Sequence, residues 1–205
     1  MKHLNTYYYF KSALSEKICD DIVKEGKSAN PQIGLTGEGT ILNKSHLRNI
    51  QNKRKSNVSW ISGLWLEREI APYVKKANER SGWNFDIIRP QAMQFTSYDE
   101  GDYYGWHTDS DSNGAYPKHH EDAGLMRKLS VTISLSNPED YDGGLLEFDT
   151  RHSSEPNLSN IVRAHEILSR GSICVFPSYT WHRVAPITMG TRLSLVIWFL
   201  GYPWR

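Results

Sequence analysis

The chain is poor in cysteine: Cys19 and Cys174 are the only two among its 205 residues. Both sit inside apolar patterns, so a disulfide framework is not expected and a reducing compartment fits. Charge of either sign is not in excess either. The net charge is +1, so no global field draws the chain to nucleic acid or to a membrane. No apolar run reaches transmembrane length, and the polar start, Met1-Lys-His-Leu-Asn-Thr6, does not read as a signal peptide. A cytoplasmic location is the resulting expectation. Internal repeats and low-complexity segments are also lacking. What remains is the profile of one domain long enough to bury its own core.

The first half of the chain carries two helical patterns. An aromatic, strand-like stretch at residues 5–10 comes first. Ser15 then offers a helix cap, Ile18, Ile22 and Val23 form an apolar stripe, and Gly26 is placed to end the helix. Residues 27–58 are polar and read mostly as loop, with a basic cluster at Lys44, Arg48, Lys53, Arg54 and Lys55. That cluster reads either as a patch for phosphate or an acidic partner, or as a solvated loop face. Leu64, Leu66, Ile70, Tyr73, Val74 and Ala77 predict a second helix within Trp60–Asn78, where Pro72 marks a turn or kink.

From about residue 85 onward the pattern changes to short strands. Ile87–Tyr98, Leu129–Leu135, Leu145–Phe148, Ile173–Phe176 and Leu193–Phe199 read as strands, the third of them after a Gly143-Gly144 turn. Polar stretches at 110–126 and 151–170 read as loops that could act as lids. The expectation is a mainly β fold with N-terminal helices: a jelly-roll, or double-stranded β-helix. Residues 1–84 would support a core formed by 85–205, all within a single domain spanning 1–205.

The chemistry concentrates in Tyr98-Asp-Glu-Gly-Asp-Tyr-Tyr-Gly-Trp-His-Thr-Asp109. His107 and Asp109 are two residues apart, and on a strand such residues share a face. One imidazole and one carboxylate could therefore reach a single ion. His182, in Phe176-Pro-Ser-Tyr-Thr-Trp-His182, is the candidate third ligand. Two histidines and a carboxylate make the facial triad of non-haem Fe(II) oxygenases, although Zn(II) tolerates the same set. Ten residues after His182 comes Arg192, whose planar fork suits the far carboxylate of a chelating cosubstrate such as 2-oxoglutarate. His119 and His120 are adjacent, so an extended chain would send them to opposite faces; they are not expected to bind metal.

The order Tyr98…Gly101…Tyr104…His107-x-Asp109, Arg127-Lys-Leu-Ser-Val-Thr-Ile-Ser-Leu135, Tyr141-Asp-Gly-Gly-Leu-Leu-Glu-Phe148, Gly171-Ser-Ile-Cys-Val-Phe-Pro177 and His182-Arg-Val-x-Pro186…Gly190-x-Arg192-x-Ser-Leu-Val-x-Trp198 resembles the iron/2-oxoglutarate dioxygenases of the prolyl 4-hydroxylase type. Within them it is most similar to the bacterial and phage PKHD-type hydroxylases. The likeness covers roughly residues 90–200 and is looser before them. It implies the jelly-roll fold, with Fe(II), 2-oxoglutarate and O2 as cofactor and cosubstrates and ascorbate as a further cofactor. It implies His107, Asp109 and His182 as metal ligands, and Arg192 and Tyr98 as partners of the distal carboxylate. Tyr104, Arg127 and Trp198 match positions that line the substrate channel. Related prolyl hydroxylases often carry Lys at the position of Arg192; the Arg agrees with the bacterial branch. The activity implied is hydroxylation of a C–H bond, of prolyl residues in a peptide or protein, with succinate and CO2 as coproducts.

Three other functions stay open on sequence grounds. A nucleic-acid demethylase of the same cofactor class needs a basic groove and stacking aromatics; the near-zero net charge argues against it and the basic cluster for it. A free amino-acid hydroxylase would use the same residues. A metal-keeping jelly-roll binding module would have no need for all four of His107, Asp109, His182 and Arg192. Substrate identity, regiochemistry and oligomeric state are not encoded in any of these patterns.

Overall fold

The computed structural model describes residues 5–34, 53–110, 114–150 and 160–204. In chain order the elements are β1 (Tyr8–Phe10), α1 (Glu16–Ser28), β2 (Gln32–Ile33), β3 (Arg54–Lys55), β4 (Asn57–Ile61), α2 (Leu64–Arg80), β5 (Arg89–Pro90), β6 (Met93–Tyr98) and β7 (Tyr103–His107). They continue with β8 (Met126–Ser134), β9 (Tyr141–Gly143), β10 (Leu146–Asp149), β11 (Ile161–Arg163), β12 (Ile173–Pro177), β13 (His182–Val184), β14 (Ile187–Gly190) and β15 (Arg192–Gly201). Short 3-10 turns occupy Pro138–Asp140 and His165–Ile167.

The strands form a large sheet in the order β1-β12-β8-β15-β6-β4-β2, with β5 also on β15, and a smaller one in the order β11-β10-β13-β7-β3. β14 and β9 make a separate pair. Every pairing is antiparallel. Among the described residues the fold is thus mainly β with two helices. None of the described helices is long and apolar enough to cross a membrane.

Alternation along the central strands divides the large sheet into an apolar face and a polar one. Leu129, Val131 and Ile133 of β8 and Leu195, Ile197 and Phe199 of β15 pack with the helix residues Cys19, Ile22, Leu66, Ile70, Val74 and Ala77. Each fully buried aliphatic chain of this kind contributes roughly 1.5–3 kcal/mol. The intervening residues Ser130, Thr132, Ser134, Ser194 and Thr96 turn to the other face, where the small sheet lies. Facing that side too are Cys174 and Phe176, which join Leu146, Phe148, Ala164 and Ile167 in a second apolar cluster. Tyr98, Tyr141, Val184 and Ile187 make a third. Cys19 and Cys174 therefore lie in different clusters, both free.

Ser15 caps α1 by accepting the Ile18 N–H at 3.3 Å. Gly26 does not end this helix, which runs on to Ser28 with Ala29 at its C-cap. It sits on the buried stripe instead, where a Cβ would come within 2.2 Å of the Phe95 ring. Trp60 belongs to β4, paired with Gln94, and the second helix starts only at Leu64. α2 continues through Pro72, which faces solvent, so water can satisfy the carbonyl whose partner N–H is missing. The polar stretch 27–58 contains β2, β3 and the start of β4, and residues 160–170 hold β11 and a 3-10 turn whose Ile167 is buried.

Candidate active site

The sheet geometry brings His107, Asp109 and His182 together. β7 ends on His107, and β13 begins with His182 directly across from it. Asp109 lies in a bend beyond the strand, not on it. The bend is pinned by the N–H groups of Asp109 and Ser110, which both donate to the Ser178 carbonyl at 2.9 Å. Asp109 Oδ1 is 3.6 Å from His107 Nε2 and Oδ2 is 3.5 Å from His182 Nε2. One ligand atom from each of the three falls within 4.8 Å of the others.

The second nitrogen of each imidazole is also committed. His107 Nδ1 lies 2.8 Å from the Gly105 carbonyl, and His182 Nδ1 lies 2.9 Å from that of Thr180. A carbonyl can only accept, so each Nδ1 carries the hydrogen and each Nε2 presents its lone pair to the shared centre. The rings are held by stacking as well. Tyr104 lies flat on His107 at 3.5 Å between ring centres, and Phe176 meets His182 edge-on at 4.7 Å.

Burial pushes the His182 imidazole down from its usual 6.5 to about 4, against the opposing pull of Asp109. Burial by itself would raise the Asp109 carboxyl; His182, His107 and Arg127 outweigh it and hold that group well below the ordinary carboxylate range. At neutral pH the site therefore offers a neutral imidazole and an ionised carboxylate, the protonation states a cation requires. Burial raises the Tyr104 phenol.

Beside the triad opens a small cavity of about 40 Å³ lined by both sheets, with Gln94, Tyr98, Tyr104, Thr132, Arg192 and Trp198 among its walls. Arg192 opens β15 opposite Tyr98 on β6, and its guanidinium lies 5.7 Å from the phenol ring. It is 4% exposed and donates to Ser194 Oγ at 3.2 Å. Among the described residues no carboxylate pairs with it. A buried guanidinium is costly unless an acid partners it, and its planar fork suits a carboxylate. Ser194, Val196 and Trp198 share its side of the strand, as alternation requires.

Arg127 and Trp198 form the neighbouring wall. The guanidinium lies 3.8 Å over the indole, donates to Gln91 Oε1 at 2.7 Å and reaches the Asp109 carbonyl at 3.4 Å. The indole N–H of Trp198 is buried and finds no partner among the described residues. Within 110–126, the described residues 114–126 are tied to this wall. Asp122 is buried and accepts from Arg89 and Gln91. His120 stacks on Tyr116 and accepts the Asp122 N–H, well outside the triad.

Arg54 is a charged pocket residue that the sequence analysis did not assign to the site. Of the basic cluster, Lys44 and Arg48 lie outside the described residues. Lys55 pairs with Asp102 at 2.9 Å. Arg54, by contrast, is buried in the cavity wall: it donates to Ser56 Oγ and Gln94 Oε1 and lies 4.6 Å over the Tyr104 ring. Arg54-x-Ser56-x-Val58 does alternate, and that was the available signal, but it is too short to stand out in a polar run.

The sequence model of the 2OG-Fe(II) oxygenase superfamily matches residues 93–200, just over half of the chain. The chain belongs to that superfamily. The chain is 41% identical over 99 residues to a PKHD-type hydroxylase of Hyphomonas neptunium, covering 48% of this chain and 38% of the relative. A PKHD-type hydroxylase of Synechococcus is 32% identical over 148 residues, covering 70% and 59%. The matches thus span about two-fifths to three-fifths of these curated relatives. A viral collagen prolyl hydroxylase from Paramecium bursaria Chlorella virus-1, solved as its 2OG complex, has the same fold at a TM-score of 0.64 and 16% identity, covering 96% of this chain and 97% of that one. The 2OG-Fe(II) oxygenases take Fe(II), 2-oxoglutarate and O2, and the donor set here fits them. Two oriented Nε2 atoms and an ionised carboxylate suit Fe(II), and the buried Arg192, which has no carboxylate partner among the described residues, suits a dicarboxylate.

Proposed function

We propose that the protein is an Fe(II)- and 2-oxoglutarate-dependent dioxygenase that hydroxylates a C–H bond, of prolyl residues in a peptide or protein. The observation that carries this is the convergence of His107, Asp109, His182 and an unpaired, buried Arg192 on one cavity. His107, Asp109 and His182 hold Fe(II), and Arg192 with Tyr98 takes the distal carboxylate of 2-oxoglutarate. Bound there, the metal with its cosubstrates would supply the oxidising power, with succinate and CO2 as coproducts. The chain's own part is to orient the reactants and keep water out. Tyr104 braces the His107 ring, and Arg127 and Trp198 form the side that meets substrate.

The prolyl reading is supported by the likeness to the viral collagen prolyl hydroxylase and by the aromatic wall, since Trp60, half-exposed, lies 6.2 Å from Trp198. The two-sheet arrangement supports a double-stranded β-helix, and we take residues 85–205 as its catalytic core, buttressed by the N-terminal elements, with Arg54 contributed from outside it. A nucleic-acid substrate is less well supported than on sequence alone, because Arg54 is buried and Lys55 is engaged by Asp102.

The test is succinate release with Fe(II), 2-oxoglutarate and three substrate panels: proline-containing peptides, oligonucleotides and free amino acids. Turnover with the peptides alone is expected. Turnover with another panel alone overturns the substrate assignment. Anaerobic Fe(II) titration of Asp109→Ala should show strongly weakened binding; wild-type affinity would remove Asp109 from the metal site.

A further inference from the structure

The two histidine ligands sit on strands whose mutual register is irregular. His182 is opposite His107, but Val184 is opposite Tyr104. Two residues of β7, Gly105 and Trp106, therefore face the single residue Arg183 of β13. Such a bulge interrupts the ladder and re-aims neighbouring side chains. The ladder that would fix the angle between the two imidazoles is thus interrupted directly beside them.

On the outer face of the same strands runs a row of contacts that bridges this gap. Glu147 of β10 is opposite Arg183 on one side and Arg163 of β11 on the other. Its Oε2 accepts from Arg183 Nε at 2.7 Å, and its Oε1 from Arg163 Nε at 2.8 Å. Glu147 is only 3% exposed. The Arg183 guanidinium then lies 4.9 Å over the ring of Trp106. Each member of the row is next in sequence to a residue of the inner face: Glu147 to Phe148, Arg183 to His182, Trp106 to His107. Phe148 is itself directly opposite His182.

We propose that Glu147, Arg183 and Trp106 are positioning residues for the metal site: the carboxylate clamps Arg183, and Arg183 laid over Trp106 holds β13 against β7 across the bulge, fixing His182 relative to His107. This inference rests on His107, Asp109 and His182 being the metal ligands. A planar guanidinium suits the task, because it pairs with the carboxylate along its edge while its face covers the indole. Arg163 holds only the far side of Glu147, toward β11, and serves as the internal control.

The experiment is Co(II) and anaerobic Fe(II) titration of the wild-type protein, Arg183→Met, Arg163→Met and Arg183→Lys, with the visible Co(II) spectrum and the melting temperature of each. Methionine keeps most of the stem and leaves Glu147 one arginine partner in each case, so both variants retain a paired carboxylate. Arg183→Met should raise the metal Kd about tenfold, the low end of what outer-shell changes cost, and shift the Co(II) bands. Arg163→Met should leave both unchanged at a comparable loss in melting temperature. Arg183→Lys should recover only part of the affinity. Wild-type Kd and spectrum in Arg183→Met, or equal changes in both methionine variants, would overturn the proposal and leave the row a purely structural ion pair. If Asp109→Ala binds metal like wild type, the ligand assignment itself fails and this inference falls with it; loss in Asp109→Ala with none in Arg183→Met rejects the positioning row alone.

Discussion

Arg192 and Tyr98 are direct cross-strand partners at the joined ends of β15 and β6, the guanidinium carbon 5.7 Å from the phenol ring centre. Both residues are buried, and the pair lines the cavity with a cation and a phenol.

Removing that cation should be felt by the cosubstrate and not by the metal. Losing one member of a buried charge-assisted pair costs on the order of 2–5 kcal/mol, because the other is left without a partner. Arg192→Ala is expected to raise the 2-oxoglutarate Kd at least about thirtyfold, at roughly 1.4 kcal/mol per decade, while Fe(II) affinity changes little. Arg192→Lys should lose less, keeping charge without the fork. Paired anaerobic titrations decide it; equal losses for both ligands would make Arg192 a structural residue.

Metal-free protein should lose stability on acidification before its carboxylates titrate. Burial holds His182 near 4 in the folded state against 6.5 ordinarily. As pH falls through 6.5 the unfolded chain takes up a proton that the folded chain refuses, so stability declines from about pH 6.5 to about pH 4. Over that window the loss from this group is on the order of 3 kcal/mol. Asp109, held low by its histidine neighbours, adds a further loss only below the ordinary carboxylate range. Thermal unfolding of chelator-treated protein between pH 7.5 and 4 should fall more steeply for wild type than for His182→Gln. Parallel curves would mean that His182 is not buried neutral.

How much of this was readable from sequence depends on the range of the interaction involved. His107-x-Asp109 is local, and Arg192 with Ser194, Val196 and Trp198 follows from strand alternation, so both were legible. Arg54 was not, since facing the cavity depends on its pairing with Tyr104, fifty residues away. Trp60 fits a helical period with Leu64; only its partner Gln94 in the sheet makes it a strand residue. Glycine is ambiguous in a different way. The residue suits both a helix end and a close approach, and at Gly26 the ring of Phe95 decides.

That contact yields a prediction opposite to helix propensity. Gly to Ala inside a helix ordinarily gains up to about 1 kcal/mol. At Gly26 the added methyl would meet ring atoms of Phe95 at 2.2–2.6 Å, and Phe95 is itself buried on β6. Overpacking typically costs 1–3 kcal/mol, so Gly26→Ala should lower the urea midpoint, and adding Phe95→Leu should recover part of it. A more stable Gly26→Ala would show that α1 can back away from the sheet.

Gly144 should matter to the cosubstrate although its Cβ would meet none of the three proposed iron ligands. Its φ is +62°, a left-handed conformation that a side chain strains. A Cβ there would also lie 2.4 Å from Ile187 Cδ1 and 2.8 Å from Arg192 Cδ. The Ile187 tip and the Arg192 stem are the parts that must give, and a shifted stem moves the guanidinium off its anion. Gly144→Ala is therefore expected to weaken 2-oxoglutarate binding about fivefold, near 1 kcal/mol, with Fe(II) affinity preserved. Gly143 is the comparison. It has φ +78°, but its Cβ would strike the Pro186 carbonyl of the backbone at 2.3 Å, away from Arg192. Gly143→Ala should cost stability by loosening the turn against β14 and leave the 2-oxoglutarate Kd near wild type once the protein is folded. Measuring melting temperature and 2-oxoglutarate Kd for both variants separates the two effects. If the glycines lose cosubstrate affinity in proportion to stability, Gly144 is only a turn residue; loss confined to Gly144→Ala shows that the missing side chain keeps the Arg192 stem in place.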